Sequence, residues 1–297
     1  MKFSPIYLTF LIGLTFLSLN GEEKKDKHEK DKPFVSAKIT DQLGNNMFQV
    51  AAASALAWDN GAIGIFPDFW NYPKIFSRCN RKALPCEPSV HWYEPSFAYH
   101  PIPYSPNMQI HGYFQSEKYF AHHRKKILKL FRPVDSDSSY IKKKYGRLLK
   151  SDKTVGIQLR WYFEDTWGNF HIQYGKDYLD RTTSLFPADS VFIVSTNNLE
   201  FARQQMPQNL NKVVYIEKEP NHIDLFILSK CKDIIITNST FGWWAAWLNT
   251  NPDKKIIAPK DWFHPNSGMP TQDLLPESWI KIEAKFGGSN GHGLCAD

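Results

Sequence analysis

Three short stretches of this 297-residue chain carry residue types that chemistry could use. The first is Leu43-Gly44-Asn45-Asn46, just after an apolar run. A glycine there permits a tight strand-to-helix turn and close approach of a ligand, with Asn45 beside it; an ordinary turn is the alternative. The second is Arg160, at the carboxyl end of TVGIQLR (154–160). A guanidinium emerging at a strand end can clamp a phosphate bidentately, or it can pair with Glu164 or Asp165 on the surface. The third is DIIITNSTFGWWAAW (233–247), in which Asn238, Ser239 and Thr240 separate a buried-strand pattern from a very apolar helical one. Hydroxyls, free backbone N–H groups and the helix dipole converge at such a junction and favour an anion; plain N-capping by Ser239 or Thr240 needs no ligand. Trp243, Trp244 and Trp247 read as core.

The elements that must position these residues are legible as alternating patterns. In the first half, VSAKIT (35–40), AIGIF (62–66) and MQIHGYF (108–114) read as strands. Met47, Phe48, Ala51, Ala55 and Trp58 fall at helical spacing, and Ser116 is placed to cap a helix running to Phe131. Residues 67–107 hold many Pro, Tyr and Trp without a period and read as irregular surface structure. The second half alternates more cleanly. TVGIQLRW (154–161), SVFIVST (190–196), KVVYIE (212–217), DIIIT (233–237) and KKIIAP (254–259) are β-branched runs, with helical stretches near 177–186, 198–206, 222–232 and 240–249 between them. That order makes a parallel sheet covered on both faces, whose ligands bind beyond the carboxyl ends of the strands. Two such α/β halves facing each other enclose a cleft.

Composition narrows the classes. Hydrophobic residues make up 42% and charged residues 22%, a globular balance, and only one apolar run approaches membrane length, which excludes a multi-span transporter. Net charge is +6. The basic clusters HHRKK (122–126) and KKKYGR (142–147) read as wet faces of amphipathic helices, so no nucleic-acid partner is expected. Residues 1–21 hold an apolar run that suits a cleaved signal peptide or a single uncleaved membrane anchor, and EEKKDKHEKDKP (22–33) reads as a charged linker. The expected location is therefore membrane-associated: the Golgi lumen for a eukaryotic chain, and either side of the membrane for a bacterial one. Cys79 and Cys86 could close a small loop in an oxidising compartment, and Cys231 reads as a core thiol. There is no C-x-x-C spacing and no metal cluster legible in the sequence.

The segments LGNNMFQ (43–49), HGYFQSEKYF (111–120), DLFILSKCKDIIITNSTFGWWAAWLN (224–249) and NPDKKIIAPKDWF (251–263) resemble those of the family 11 glycosyltransferases, the α-1,2-fucosyltransferases that use GDP-fucose. The likeness runs over about residues 38–263. It implies an α/β, GT-B-like fold of two Rossmann-type domains facing a central cleft. The acceptor-side domain would be 34–150, the GDP-sugar-binding domain 151–275, and 276–297 a tail. It also implies inverting transfer of L-fucose from GDP-fucose to the 2-hydroxyl of a galactose-terminated glycan, with no cofactor and no metal. Arg160 would neutralise the departing GDP, and Asn238, Ser239, Thr240 and Phe241 would line the donor. Asp224 would recognise the guanine, and Asn45 would face the reacting centre. Where the family motif reads His-x-Arg-Arg-Gly-Asp, this chain reads Gln158-Leu159-Arg160-Trp161-Tyr162-Phe163. Gln158 then offers the donor a hydrogen bond without charge, and Glu164 or Asp165 stands nearest as the base. A transferase of another nucleotide sugar, and a non-catalytic binder of glycans or nucleotide sugars, are the alternatives.

Overall fold

The computed structural model describes residues 32–67, 71–162, 170–283 and 285. Two all-parallel sheets are built in sequence order. The first contains β1 (Phe34–Ala37), β2 (Ile63–Gly64), β3 (Val90–Tyr93) and β4 (Met108–His111), arranged β2-β1-β4-β3. Its register pairs Val35 with both Gly64 and Met108. The long helix α1 (Leu43–Asp59) follows β1, and α2 (Arg124–Leu130) and α3 (Asp135–Leu149) close this half.

The second sheet is larger. It contains β5 (Thr154–Leu159), β6 (Val191–Thr196), β7 (Lys212–Tyr215), β8 (Asp233–Ile236), β9 (Ile256–Pro259) and β10 (Ile280–Ile282), in the order β10-β9-β8-β5-β6-β7. The connecting helices are α4 (Lys176–Thr183), α5 (Leu199–Gln205), α6 (Asn221–Leu228) and α7 (Thr240–Leu248). β5 is buried at every position, as its unbroken TVGIQL run requires of a central strand covered on both faces.

Several expectations need correction. Residues 67–107 are not wholly irregular, because β3 lies within them as the exposed edge of the first sheet. Residues 280–282, expected in the tail, form the edge strand β10. Ser116 does cap, through its side chain and Lys118 N–H, but the element is a single 3-10 turn at Glu117–Tyr119, and α2 starts only at Arg124. Cys79 and Cys86 are free thiols; Cys231 is buried as expected. Among the described residues no helix is long and apolar enough to cross a membrane, and residues 1–21 lie outside them.

The two halves are joined by packing between α1 and α7. Phe48 of α1 lies 4.4 Å from the Trp243 ring and 5.0 Å from Trp244, and Phe120 stacks on Trp244 at 5.3 Å. Trp243, Trp244 and Phe48 are fully buried, so truncating one of these tryptophans costs about 3–5 kcal/mol. The indole N–H of Trp244 donates to the Gly44 carbonyl at 3.0 Å, and that of Trp243 to the Leu274 carbonyl at 2.9 Å. Gly44 makes the approach possible: a Cβ there would stand 2.4 Å from Thr240 Oγ1 and 2.7 Å from the Phe241 nitrogen. The glycine of the Gly44-Asn45 pair thus serves helix–helix contact inside α1's first turn, rather than a loop wrapped on a ligand.

Candidate functional site

The contacts between α1 and α7 advance together, Gly44 with Thr240 and Phe48 with Trp244. The two helices therefore lay their N-termini side by side. Neither N-cap side chain caps its helix: Gln42 and Ser239 occupy the N-cap positions, and neither side chain accepts a hydrogen bond from the helix. Each helix leaves its first N–H groups without intrahelical acceptors, and the positive ends of both dipoles add at one spot. The capping alternative for Ser239 is thereby set aside.

The carboxyl edge of the second sheet supplies the remaining groups. Arg160 follows β5 directly. Its N–H donates to Thr237 Oγ1 at 3.0 Å and its carbonyl accepts from Gln173 Nε2 at 3.0 Å. The half-buried guanidinium lies over the Tyr162 ring, 5.4 Å from its centre. The Tyr162 hydroxyl donates to the Asn238 carbonyl at 2.7 Å, and its ring stacks on His171 at 4.3 Å. Arg160 is thus tied, through Tyr162, to the residue that precedes Ser239. Gln173 also accepts the Tyr162 N–H at 2.8 Å, so one amide sets the backbone of the segment carrying the arginine.

Asn45 lies in α1's first turn, next to the Gly44–Thr240 contact, and its Oδ1 accepts from Gln115 Nε2 at 3.1 Å. Ser239, Thr240 and Phe241 are half-buried at the start of α7. These four residues and Arg160 are brought together. Gln158 and Asn238 lie beneath them. Gln158 is buried, accepts from the Thr237 hydroxyl at 3.3 Å, and sits where a Cβ on Gly242 would meet it at 2.7 Å. Asn238 is 2% exposed and spends Nδ2 on the Ile172 and Trp262 carbonyls, both at 3.0 Å. Both support this edge from below, and the Asn238 side chain of the Asn238-Ser239-Thr240 sequon is buried in the folded chain.

Asp224 lies in the first turn of α6, on the same carboxyl edge. The Ser195 hydroxyl donates to its Oδ2 at 2.7 Å, while Oδ1 is buried without a hydrogen-bond partner. Burial raises its pKa to about 6, against the lowering effect of the Ser195 bond. Glu164 and Asp165 lie outside the described residues.

Sequence reasoning missed Tyr162 and Gln173, which hold Arg160; neither stands at a patterned position. Asn197 was missed as well: it bonds the Trp161 backbone in both directions, at 2.8 and 2.9 Å. Its place just after β6, at the carboxyl edge, is the signal that could have found it.

Two parallel α/β sheets that meet over a shared carboxyl-edge site make a GT-B-like fold. The solved structure of NodZ, an α-1,6-fucosyltransferase soaked with GDP-fucose, superposes with a TM-score of 0.50 at 12% identity, covering 73% of this chain and 93% of that one. The family model described as glycosyl transferase family 11 matches residues 82–283, and the chain belongs to that family. Over 187 residues it is 29% identical to the O-antigen biosynthesis glycosyltransferase WbnK of Escherichia coli, covering 58% of this chain and 60% of the relative. It is 26% identical over 197 residues to an alpha-1,2-colitosyltransferase of the same species, covering 60% and 63%. Over 292 residues it is 25% identical to the galactoside alpha-(1,2)-fucosyltransferase 2 of Oryctolagus cuniculus, covering 85% and 78%. The matched region spans about three-fifths of the two bacterial relatives.

Proposed function

We propose that this chain is an inverting glycosyltransferase that moves L-fucose from GDP-β-L-fucose to the 2-hydroxyl of a galactoside. The observation that carries the reading is the pair of uncapped helix N-termini meeting at Gly44 and Thr240 beside Arg160. A nucleoside diphosphate leaving group develops charge as the sugar departs. Pre-oriented N–H donors with one guanidinium meet that need without rearranging during the reaction. The relative named for galactoside α-(1,2) transfer supports the acceptor and linkage. Asp224, with an unpartnered buried oxygen on the same edge, is the acceptor for the donor's base. Glu164 or Asp165 takes the proton of the attacking hydroxyl, since each follows Arg160 within a few residues. In this reading no metal takes part, and the apolar run in residues 1–21 holds the chain to a membrane.

A second reading, a donor sugar other than fucose, is favoured by Trp161 standing where the family motif has its second arginine, and by the colitosyl-transferring relative. Incubation with a panel of nucleotide sugars and β-galactosides separates the two. GDP release with GDP-fucose and a 2-linked product supports the first reading; turnover with another donor alone supports the second. Binding of GDP without turnover of any donor refutes both in favour of a non-catalytic binder.

A further inference from the structure

We propose that Asp59, His122 and His123 form a binding site for a divalent metal ion of the zinc class, independent of the transferase cleft. Asp59 is the last residue of α1, at the end opposite the Gly44–Thr240 contact. His122 and His123 belong to a 3-10 turn (Ala121–His123) that leads into α2. The turn directs two adjacent rings at one carboxylate: His122 Nε2 lies 2.9 and 3.2 Å from the two Asp59 oxygens, and His123 Nε2 lies 2.6 Å from Oδ1. The three ligand atoms all fall within 4.8 Å of one another. A tetrahedral zinc ion with bonds of about 2.0–2.1 Å spaces its ligands about 3.3 Å apart, so the carboxylate–imidazole distances of 2.9 and 2.6 Å need open by only about 0.4–0.7 Å.

The donor set selects the ion. Two imidazoles and one carboxylate suit zinc, nickel or copper, whereas magnesium and calcium require mostly oxygen. Each ring would present its Nε2 lone pair and carry its proton on Nδ1. Solvent can supply the fourth ligand, since Asp59 and His122 side chains are 41% and 49% exposed and a cavity of about 650 Å³ opens beside the two histidines. Two of the neighbouring cations, Lys126 and Arg124, have partners of their own. Lys126 Nζ stands 5.1 Å over the Trp58 ring, and Arg124 lies over Trp247 and donates to the Trp247 and Asn249 carbonyls. Nothing in the fucosyl-transfer reading uses these three residues. The competing explanation is a surface ion pair and nothing more, which binds no metal.

Calorimetric titration of the untagged full chain with zinc chloride decides between them, with cobalt absorption as a second readout. The expected result is one saturable site and visible cobalt bands of a four-coordinate N/O site. The His122→Ala/His123→Ala double variant should weaken zinc at least tenfold, and Asp59→Asn should weaken it several-fold. His91→Ala/His111→Ala, which removes the other close histidine pair, and Cys79→Ser/Cys86→Ser should leave the site intact. Should the first double variant not fold by circular dichroism, the exposed single change His122→Gln carries the same expectation. Absence of saturable binding overturns the proposal. So does binding that survives loss of His122 and His123, or that vanishes only with the cysteines or the other histidine pair.

Discussion

The two ends of α7 are treated in opposite ways. At its carboxyl end the Arg124 guanidinium donates to the Trp247 carbonyl at 2.8 Å and the Asn249 carbonyl at 3.2 Å, lies 4.3 Å over the Trp247 ring, and closes the helix with a positive charge. Asn249 Nδ2 adds a bond to the Cys231 carbonyl at 2.8 Å. At its amino end Ser239 stands in the capping position and does not cap. One end is satisfied by side chains of this chain; the other, next to a second helix start, offers the N–H donors that the proposed diphosphate site requires.

The sharpest way to break this contrast is Arg160→Ala. If the open end holds a departing diphosphate, losing the adjacent guanidinium costs roughly 2.7–4 kcal/mol of transition-state stabilisation, on the order of 10² to 10³ in kcat/KM. The melting curve should stay near that of the parent chain. Unchanged turnover with GDP-fucose removes Arg160 from the mechanism.

Asp224→Asn tests whether the same edge carries a group kept at a cost to folding. The folded chain holds a proton on Asp224 up to about pH 6, against an ordinary 3.8, so folding through this group is favoured as pH falls between those values and opposed above them. The variant should therefore be more stable than the parent at pH 7.5, by about 1–3 kcal/mol once partial exposure is allowed for, with the gain fading as pH falls from about 6 and essentially gone below 3.8. Denaturant titrations at the two pH values check it; an equal gain at both contradicts the assignment.

Arg124→Ala is the counterpart at the closed end. Its loss should lower stability by about 1.5–3 kcal/mol, the range for hydrogen bonds to a charged group, while GDP affinity is unchanged. The Ser239→Ala/Thr240→Ala pair should do the reverse. With no cap to lose, unfolding should shift by no more than about 0.5 kcal/mol, and GDP binding should weaken roughly tenfold or more. Calorimetric titration with GDP, beside thermal unfolding of the same samples, separates the two outcomes; normal GDP affinity returns the segment to a purely architectural role.

The smallest expected effect is that of a chelator. EDTA should leave fucosyl transfer intact, because helix termini and Arg160 supply the positive charge at the leaving group, and the histidine–aspartate cluster lies at the far end of α1. Activity lost to EDTA and restored by Mn²⁺ would contradict this.

The second sheet was legible because its central strands are buried on both faces, and that burial writes an unbroken apolar run into the sequence, as in β5 and β8. β3 and β10 are edge strands with largely exposed positions, so no period marks them. At the candidate site, the placement of Arg160, Asn45 and Ser239–Phe241 at strand ends and helix starts was legible because such positions can be counted along the chain. Depth cannot be counted in that way. Gln158 and Asn238 share those positions yet point beneath the edge, and only long-range partners such as Ile172 and Trp262 reveal it. For the same reason Asp59 and the two histidines, some sixty residues apart in sequence, gave no signal.

The seam between Gly44 and α7 also limits how the two sheets can part. Parting them there would break the Trp244–Gly44 bond and expose the Phe48, Phe120 and Trp243 rings, at a cost of several kcal/mol. Relative rotation is opposed on either side of the seam as well, where the Tyr99 N–H donates to Asp273 and the Tyr145 hydroxyl donates to Glu219. The N–H groups proposed to hold the phosphates therefore sit on a fixed frame between the two halves.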